Sequence, residues 1–279
     1  MLENPRAARV RAVAKLATRK ARSETGLFLV EGPQAVREAL RFAADRVVEI
    51  FSTDGAMDRN ADVIQLARRA GVPVEQATKQ VIEAIADTVT PQGIVAAMRI
   101  ASPSLRETLA AVPEPGGARL VAVLHEVRDP GNLGTIIRVA DAAGADAVVL
   151  TGDSVDPFGP KVVRSTTGSL FHLPVVIGRD LAHAVRQLSD AGLEVLAADV
   201  GGEELSDAAM LPSRVAWLFG NEARGLDEAS VLLADRSVRL PIFGRAESLN
   251  LATAASILLY QSAFAHRNSF SAPMAQRRP

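Results

Sequence analysis

Between residues 119 and 264 the chain alternates strand-like runs with helical patterns, and few folds accommodate that order. The strand-like runs lie at 119–126, 146–151, 174–178, 193–199, 215–219 and 237–242, with helical patterns at about 133–143, 159–166, 180–191, 226–233 and 249–264. Parallel strands need a crossover between them, usually a helix, so strict alternation predicts a mostly parallel sheet covered by helices on both faces. Ligands of such sheets bind in loops beyond the carboxyl ends of the strands, and those loops are where chemistry is to be sought.

Upstream, runs at 26–30, 46–51, 72–76 and 93–100 alternate with helical patterns near 33–43, 60–70 and 78–86, after a first helix over about 6–22. They make a smaller α/β domain of roughly 100 residues. The stretch 101–117 loses periodicity and ends in Pro113, Pro115, Gly116 and Gly117, which reads as a linker. The expected organisation is a domain over 1–100, a linker over 101–117, a second domain over 118–266 and a disordered tail over 267–279.

The chain has no cysteine, which excludes disulfides, thiolate-ligated metals and cysteine nucleophiles. No apolar run approaches the roughly 20 residues that span a bilayer, and the N-terminus has no apolar signal region, so a cytoplasmic protein is expected. The net charge is −1, but residues 1–25 carry Arg6, Arg9, Arg11, Lys15, Arg19, Lys20 and Arg22 against Glu3 and Glu24, a local +5. A basic end on an acidic body reads as a phosphate-binding footprint or as a solvated helix face.

Three downstream loops are chemically unusual. Asp129-Pro130-Gly131-Asn132-Leu133-Gly134 follows the first strand of the alternating region; Asp-Pro-Gly turns the chain and Asn132 is suited to cap the next helix, which carries Arg138. It is neither a dinucleotide fingerprint nor a phosphate-binding P-loop. Leu218-Phe219-Gly220-Asn221-Glu222-Ala223-Arg224-Gly225 follows the strand VAWLF, and Gly220 there allows a close backbone approach to a ligand. Leu240-Pro241-Ile242-Phe243-Gly244-Arg245-Ala246-Glu247-Ser248-Leu249-Asn250 leads into an apolar helix. N-capping accounts for one of Ser248 and Asn250; both together suggest a polar group held at that mouth.

Together DPGNLGTIIR, LFGNEARGL and LPIFGRAESLNLATAASILLY resemble, in order and spacing over 118–264, the three signature motifs of the SpoU (TrmH) RNA 2′-O-methyltransferases of the SPOUT class. FLVEGPQAVREAL and VTPQGIVAAM, within 8–100, are similar to that family's N-terminal substrate-binding domain, itself like ribosomal protein L30e. The resemblance implies an α/β catalytic domain tied in a deep trefoil knot that holds S-adenosylmethionine, and a homodimer in which Arg138 acts on the methyl group bound by the partner. It implies cofactor contacts at Gly220, Asn221, Leu240, Ile242 and Leu249, and an active-site set of Asn132, Arg138, Glu222, Ser248 and Asn250. Ile242-Phe243, where the family usually has Met and a small residue, and Asn221, where a small residue or Ser is common, depart from its pattern and bear on pocket shape.

A ribose hydroxyl is a weak nucleophile and the sulfonium an activated donor, so placement and help with the leaving proton carry the reaction. The family's proposal makes Arg138 the general base. A guanidinium rarely gives up its proton, and Arg138 could instead hold the adjacent phosphate and stabilise the developing alkoxide. No metal is expected, because His125, His172, His183 and His266 have no ligand spacing. Arg9, Arg11, Lys15, Lys20, Lys161 and Arg164 are the candidate RNA contacts. The substrate implied is structured RNA, 23S ribosomal RNA ahead of tRNA, with a non-catalytic RNA-binding protein as the alternative.

Overall fold

The structure is a computed structural model that describes residues 1–112, 119–207 and 210–271, excepting the side chains of 267–271. Its strands are β1 Leu27–Glu31, β2 Val47–Ser52, β3 Val74–Gln76, β4 Ile94–Arg99, β5 Leu120–His125, β6 Ala147–Thr151, β7 Val175–Ile177, β8 Glu194–Glu204, β9 Val215–Phe219 and β10 Arg236–Arg239. The helices are α1 Ala8–Ala14, α2 Arg19–Thr25, α3 Pro33–Phe42, α4 Asp54–Arg59, α5 Ala61–Arg69, α6 Lys79–Ile85, α7 Leu105–Ala111, α8 Pro130–Ala142, α9 Pro160–Thr166, α10 Leu181–Asp190, α11 Glu228–Val231 and α12 Leu251–Ser271.

Two compact units divide the chain. The first joins Met1–Ser102 with Leu133–Arg138 and Asp156–His172; the second holds Pro103–Asn132, Val139–Val155 and the chain from Leu173 on.

In the first unit a four-stranded sheet runs in the order β1-β4-β2-β3, antiparallel except for the parallel β2/β3 pair. The expected single helix over 6–22 is broken into α1, a 3-10 turn at Lys15–Ala17, and α2. Thr18 breaks it: its backbone is extended, its hydroxyl donates to the Lys15 carbonyl at 2.8 Å, and its oxygen caps α2 through the Ala21 N–H. Val10, Val13 and Leu16 from this region lie in the same core as Leu29, Phe51, Ile82 and Val95, so the N-terminal segment is part of the fold rather than a loose arm.

The basic residues of that segment divide accordingly. Arg22 is buried, donating to Asp156 Oδ2 at 2.6 and 2.9 Å and to the carbonyls of Leu16 and Ala17. Arg9 pairs with Glu49 and Glu75 and lies over the ring of Phe51, and Lys20 pairs with Glu24. Arg11 and Lys15 are exposed. On α9, Lys161 is exposed, whereas Arg164 pairs with Glu31 at 3.3 Å and Asp87 at 3.0 Å. Gly134 of α8 sits where a Cβ would lie 2.7 Å from Ser165 Cβ and 3.0 Å from the Val162 carbonyl, so its lack of a side chain lets α8 approach α9.

The second unit holds a six-stranded, all-parallel sheet in the order β10-β8-β9-β5-β6-β7. Every residue of β6 and β9 is buried, as expected for strands covered on both faces. On one face Leu181, Ala184, Val185 and Leu188 of α10 pack on Val121, Val149, Val195 and Leu218. The buried Trp217 indole of β9 donates to Ser262 Oγ of α12 at 2.9 Å.

The stretch read as a linker contains α7. Ser104 and Glu107 form a capping box, with the Glu107 N–H donating to Ser104 Oγ at 3.2 Å and the Ser104 N–H to Glu107 Oε2 at 3.0 Å. Residues 113–118 of that stretch, and 272–279 of the expected tail, lie outside the described residues; 267–271 continue α12.

Replacing Arg22 by Ala leaves the Asp156 carboxylate and two carbonyls without their donor. We expect a loss of about 3–5 kcal/mol in chemical denaturation, as for removal of one member of a buried ion pair. Lys at this position should recover only part of it, since an ammonium cannot reproduce the guanidinium's fixed fork.

Candidate functional site

β5 and β9 are adjacent and parallel, with Leu124 in register with Phe219, so the loops after His125 and Phe219 leave the sheet side by side. Between them stands the carboxylate of Glu222. It accepts the main-chain N–H of Asp129 at 2.9 Å, that of Arg128 at 3.1 and 3.2 Å, and the amide of Asn132 at 3.4 Å. Asn132 Oδ1 in turn accepts from Asn250 Nδ2 at 3.2 Å. One chain of hydrogen bonds thus joins all three loops singled out in the sequence.

The capping assignment in the first loop is corrected. Asp129, not Asn132, caps α8: its Oδ1 accepts the Asn132 N–H at 2.7 Å, with Pro130 at the first helical position. The Asn132 side chain is therefore available to Glu222 and Asn250. Asn250 caps α12, accepting the N–H groups of Ala252 at 2.9 Å and Thr253 at 3.3 Å. Ser248 is exposed beside it.

Burial opposes ionisation of Glu222, but the N–H groups of Asp129, Arg128 and Glu222 itself and the Asn132 amide outweigh it. They hold its carboxyl below the usual glutamate range. At neutral pH Glu222 is therefore an ionised hydrogen-bond acceptor.

Beyond the ends of β8, β9 and β10 lies a cleft of about 530 Å³. Gly220, Asn221, Glu222, Leu240, Ile242, Ser248 and Leu249 all line it. Ile242 and Leu249 are 37% and 38% exposed, apolar surface that an apolar ligand would cover. Gly220 has a reason of its own: a Cβ there would lie 2.5 Å from the Leu226 nitrogen, so the loop closes on itself only with glycine. Asn221 completes that closure by pairing with Gly225 in both directions, at 2.9 and 2.8 Å, and by donating its amide to the Glu126 carbonyl at 2.9 Å.

Arg138 lies outside this network. It is exposed on α8, and its guanidinium makes no ion pair among the described residues. Sequence reasoning missed Asp199 and Val200, which also line the cleft. They fall where the pairing of β8 with β10 jumps from Ala197↔Ser237 to Glu203↔Val238. The Gly201-Gly202 pair was the available signal, since a Cβ on Gly202 would lie 2.5 Å from the Val238 nitrogen. Glu126 was missed as well; its φ of 54° is one of two positive values at non-glycine residues among those described.

No group of three or more His, Asp or Glu side chains is placed to hold a metal ion among the described residues, and none of their helices is long and apolar enough to cross a membrane.

Known proteins share both the sequence and the fold. Residues 7–96 match the MRM3-like substrate binding domain, and residues 119–260 match the SpoU rRNA Methylase family. The chain is 36% identical over 259 residues to the 23S rRNA (guanosine(2553)-2′-O)-methyltransferase RlmP of Bacillus subtilis, covering 93% of this chain and 97% of that protein. An AdoMet-bound rRNA methyltransferase from Sinorhizobium meliloti superimposes with a TM-score of 0.78 at 32% identity, over 91% of this chain and 94% of that one. The SpoU methyltransferase AviRb from Streptomyces viridochromogenes gives 0.81 at 27% identity, over 94% and 99%. This chain belongs to the SpoU rRNA methylase family.

Proposed function

We propose that this protein is a cytoplasmic, S-adenosylmethionine-dependent methyltransferase that modifies a ribose 2′-hydroxyl of 23S ribosomal RNA. The observation that carries this reading is the chain of hydrogen bonds from Glu222 through Asn132 to Asn250, which joins the three motif loops beside the cleft. Relatives named as 23S rRNA 2′-O-methyltransferases, matched over nearly the whole chain, support the RNA class.

The cleft fits the cofactor. Its volume of about 530 Å³ falls within the usual range for small-molecule sites. Leu240, Ile242 and Leu249 offer apolar contact, and Asp199 and Glu222 offer negative charge to a cationic ligand. When bound, S-adenosylmethionine supplies an activated methyl group. Glu222 does not act as a base, because a carboxyl held below its normal range is a weak proton acceptor. Its task is to fix Asn132 and the 128–129 main chain. Arg138, exposed and without an ion pair among the described residues, holds the RNA phosphate and stabilises charge developing on the ribose oxygen.

The finer architecture is proposed on the family's terms. The N-terminal hundred residues form an L30e-like RNA-binding domain in which Arg11 and Lys15 meet phosphate, as does Lys161 of α9; Arg9, Lys20 and Arg164 first have to leave their carboxylates. The C-terminal region is knotted, and the enzyme is a homodimer. Support for the dimer comes from α12, where Ile257, Tyr260 and Phe264 recur at helical spacing and are 37%, 38% and 53% exposed.

Calorimetry should show S-adenosylmethionine binding without added metal, and an unmodified 23S rRNA transcript should gain one ribose methyl group. Failure to bind the cofactor would sink the assignment.

Glu222→Gln should slow methyl transfer by roughly 10²-fold through loss of loop placement. Because the folded-state pKa is depressed, the carboxylate's stabilisation is present at neutral pH and lost as pH falls below about 4.3. The wild-type advantage over Glu222→Gln in denaturant midpoint should therefore close in acid; a gap constant with pH would contradict it.

Mixing Arg138→Ala subunits with Leu249→Trp subunits, whose cleft is filled, tests the dimer. If one protomer's arginine serves its partner's cleft, random reassortment restores about one quarter of the wild-type sites. No recovery, with exchange confirmed by mass spectrometry, would place the whole site within one chain.

A further inference from the structure

Two arginines flank Glu222 without a part in the function just proposed. Arg128 gives Glu222 only its main-chain N–H, and Arg224 follows two residues later in the second loop. Their guanidinium groups face solvent, with side chains 51% and 72% exposed. Each is held by one carboxylate: Arg128 Nη1 lies 2.6 Å from Asp153 Oδ2, and Arg224 Nη2 lies 2.8 Å from Glu126 Oε2.

The Glu126 arm of this arrangement is built into the loop. Glu126 adopts a left-handed backbone, costly for a residue with a Cβ, which persists only where its surroundings enforce it. Its N–H donates to the Thr151 carbonyl at 3.1 Å, and its own carbonyl accepts the Asn221 amide. Asn221 Oδ1 accepts the N–H groups of Ala223 and Arg224 at 3.0 and 3.3 Å, fixing the backbone from which Arg224 projects. Gly152 leaves room for the arrangement, since a Cβ there would lie 2.8 Å from Glu126 Cγ.

Exposed ion pairs add little net stability, so neither carboxylate is a strong competitor for its arginine. A phosphodiester matches the planar guanidinium fork and is never protonated near neutral pH. A cofactor carboxylate would engage one arginine at most, and the Arg128 side chain does not line the cleft. Two exposed guanidinium groups on adjacent loops suit a polyanion instead.

We propose that Arg128 and Arg224 form a two-point clamp for the RNA backbone at the mouth of the cleft, with Asp153 and Glu126 occupying the arginines until phosphate displaces them. This deepens the methyltransferase reading and rests on it. The carboxylates hold both guanidinium groups until phosphate displaces them, which lowers affinity for RNA that reaches only one of them.

The test measures affinity for an unmodified 23S rRNA transcript as a function of salt, with S-adenosylmethionine affinity measured in parallel. Arg128→Ala and Arg224→Ala should each weaken RNA binding and reduce the slope of log K against log salt by roughly 0.7–0.9, one phosphate contact apiece. Glu126→Gln and Asp153→Asn should tighten RNA binding, because the competing charge is gone while the side-chain size is kept. Cofactor affinity should not change in Arg128→Ala, Glu126→Gln or Asp153→Asn, whose side chains do not line the cleft, as that of Arg224 does. An unchanged salt slope in the Arg128→Ala/Arg224→Ala double variant would overturn the clamp, as would a loss of cofactor affinity in Arg128→Ala or weaker RNA binding by Glu126→Gln. Wild-type protein that binds no S-adenosylmethionine would instead overturn the methyltransferase reading, and the clamp with it.

Discussion

The half-buried carboxylate of Glu222 is the interaction on which the rest of the site depends. Three loops leave the sheet with little regular structure of their own, and each could adopt many conformations. Glu222 restrains two of them by accepting from the main chain of Arg128 and Asp129, and reaches the third through Asn132 and Asn250. Charge-assisted hydrogen bonds to main-chain N–H groups are strong for their size and leave little freedom in the backbone that donates them. A carboxylate committed in this way organises the site but is poorly suited to take up a proton.

The same economy is visible in the first unit. Asp156–His172 belongs in sequence to the region matched by the methylase family, yet it packs with the N-terminal residues. Polar side chains fasten it there: Arg22 to Asp156, Arg164 to Glu31 and Asp87, and His172 to Glu38 at 3.2 Å. Phe28 and Phe158, with ring centroids 5.0 Å apart, add an apolar contact. Basic residues that look in the sequence like a single phosphate-binding arm are thus divided between holding the fold together and facing solvent. Charge counted along a chain does not tell these roles apart.

What could be read in advance followed the periodic signals. Parallel strands and crossover helices have a strong apolar pattern, and the sheet of the second unit appeared where that pattern placed it. Short-range competition was harder to read. Thr18 broke a helix whose apolar spacing continues across it, and Ser104 with Glu107 built a helix within a stretch whose prolines and glycines suggested a linker. In both places a local hydrogen bond to the main chain outweighed the average character of the segment. The capping of α8 turned on the same kind of bond, with Asp129 taking the role that the sequence pattern assigned to Asn132.

By itself the sequence determined the α/β class, the three loops and the residue types that could carry chemistry in them, because hydrophobic period and turn residues act locally. Only the tertiary structure decided which of those residues meet. The adjacency of β5 and β9 brings Glu222 to the main chain of a loop more than ninety residues away, and it leaves Arg138 on the same helix as Asn132 but outside their hydrogen bonds. The shift in the pairing of β8 with β10 puts Asp199 into the cleft, and Glu126 takes a backbone conformation that nothing in its own side chain favours. Each of these depends on a partner distant in sequence, and the energy of such a contact exists only after the chain has closed.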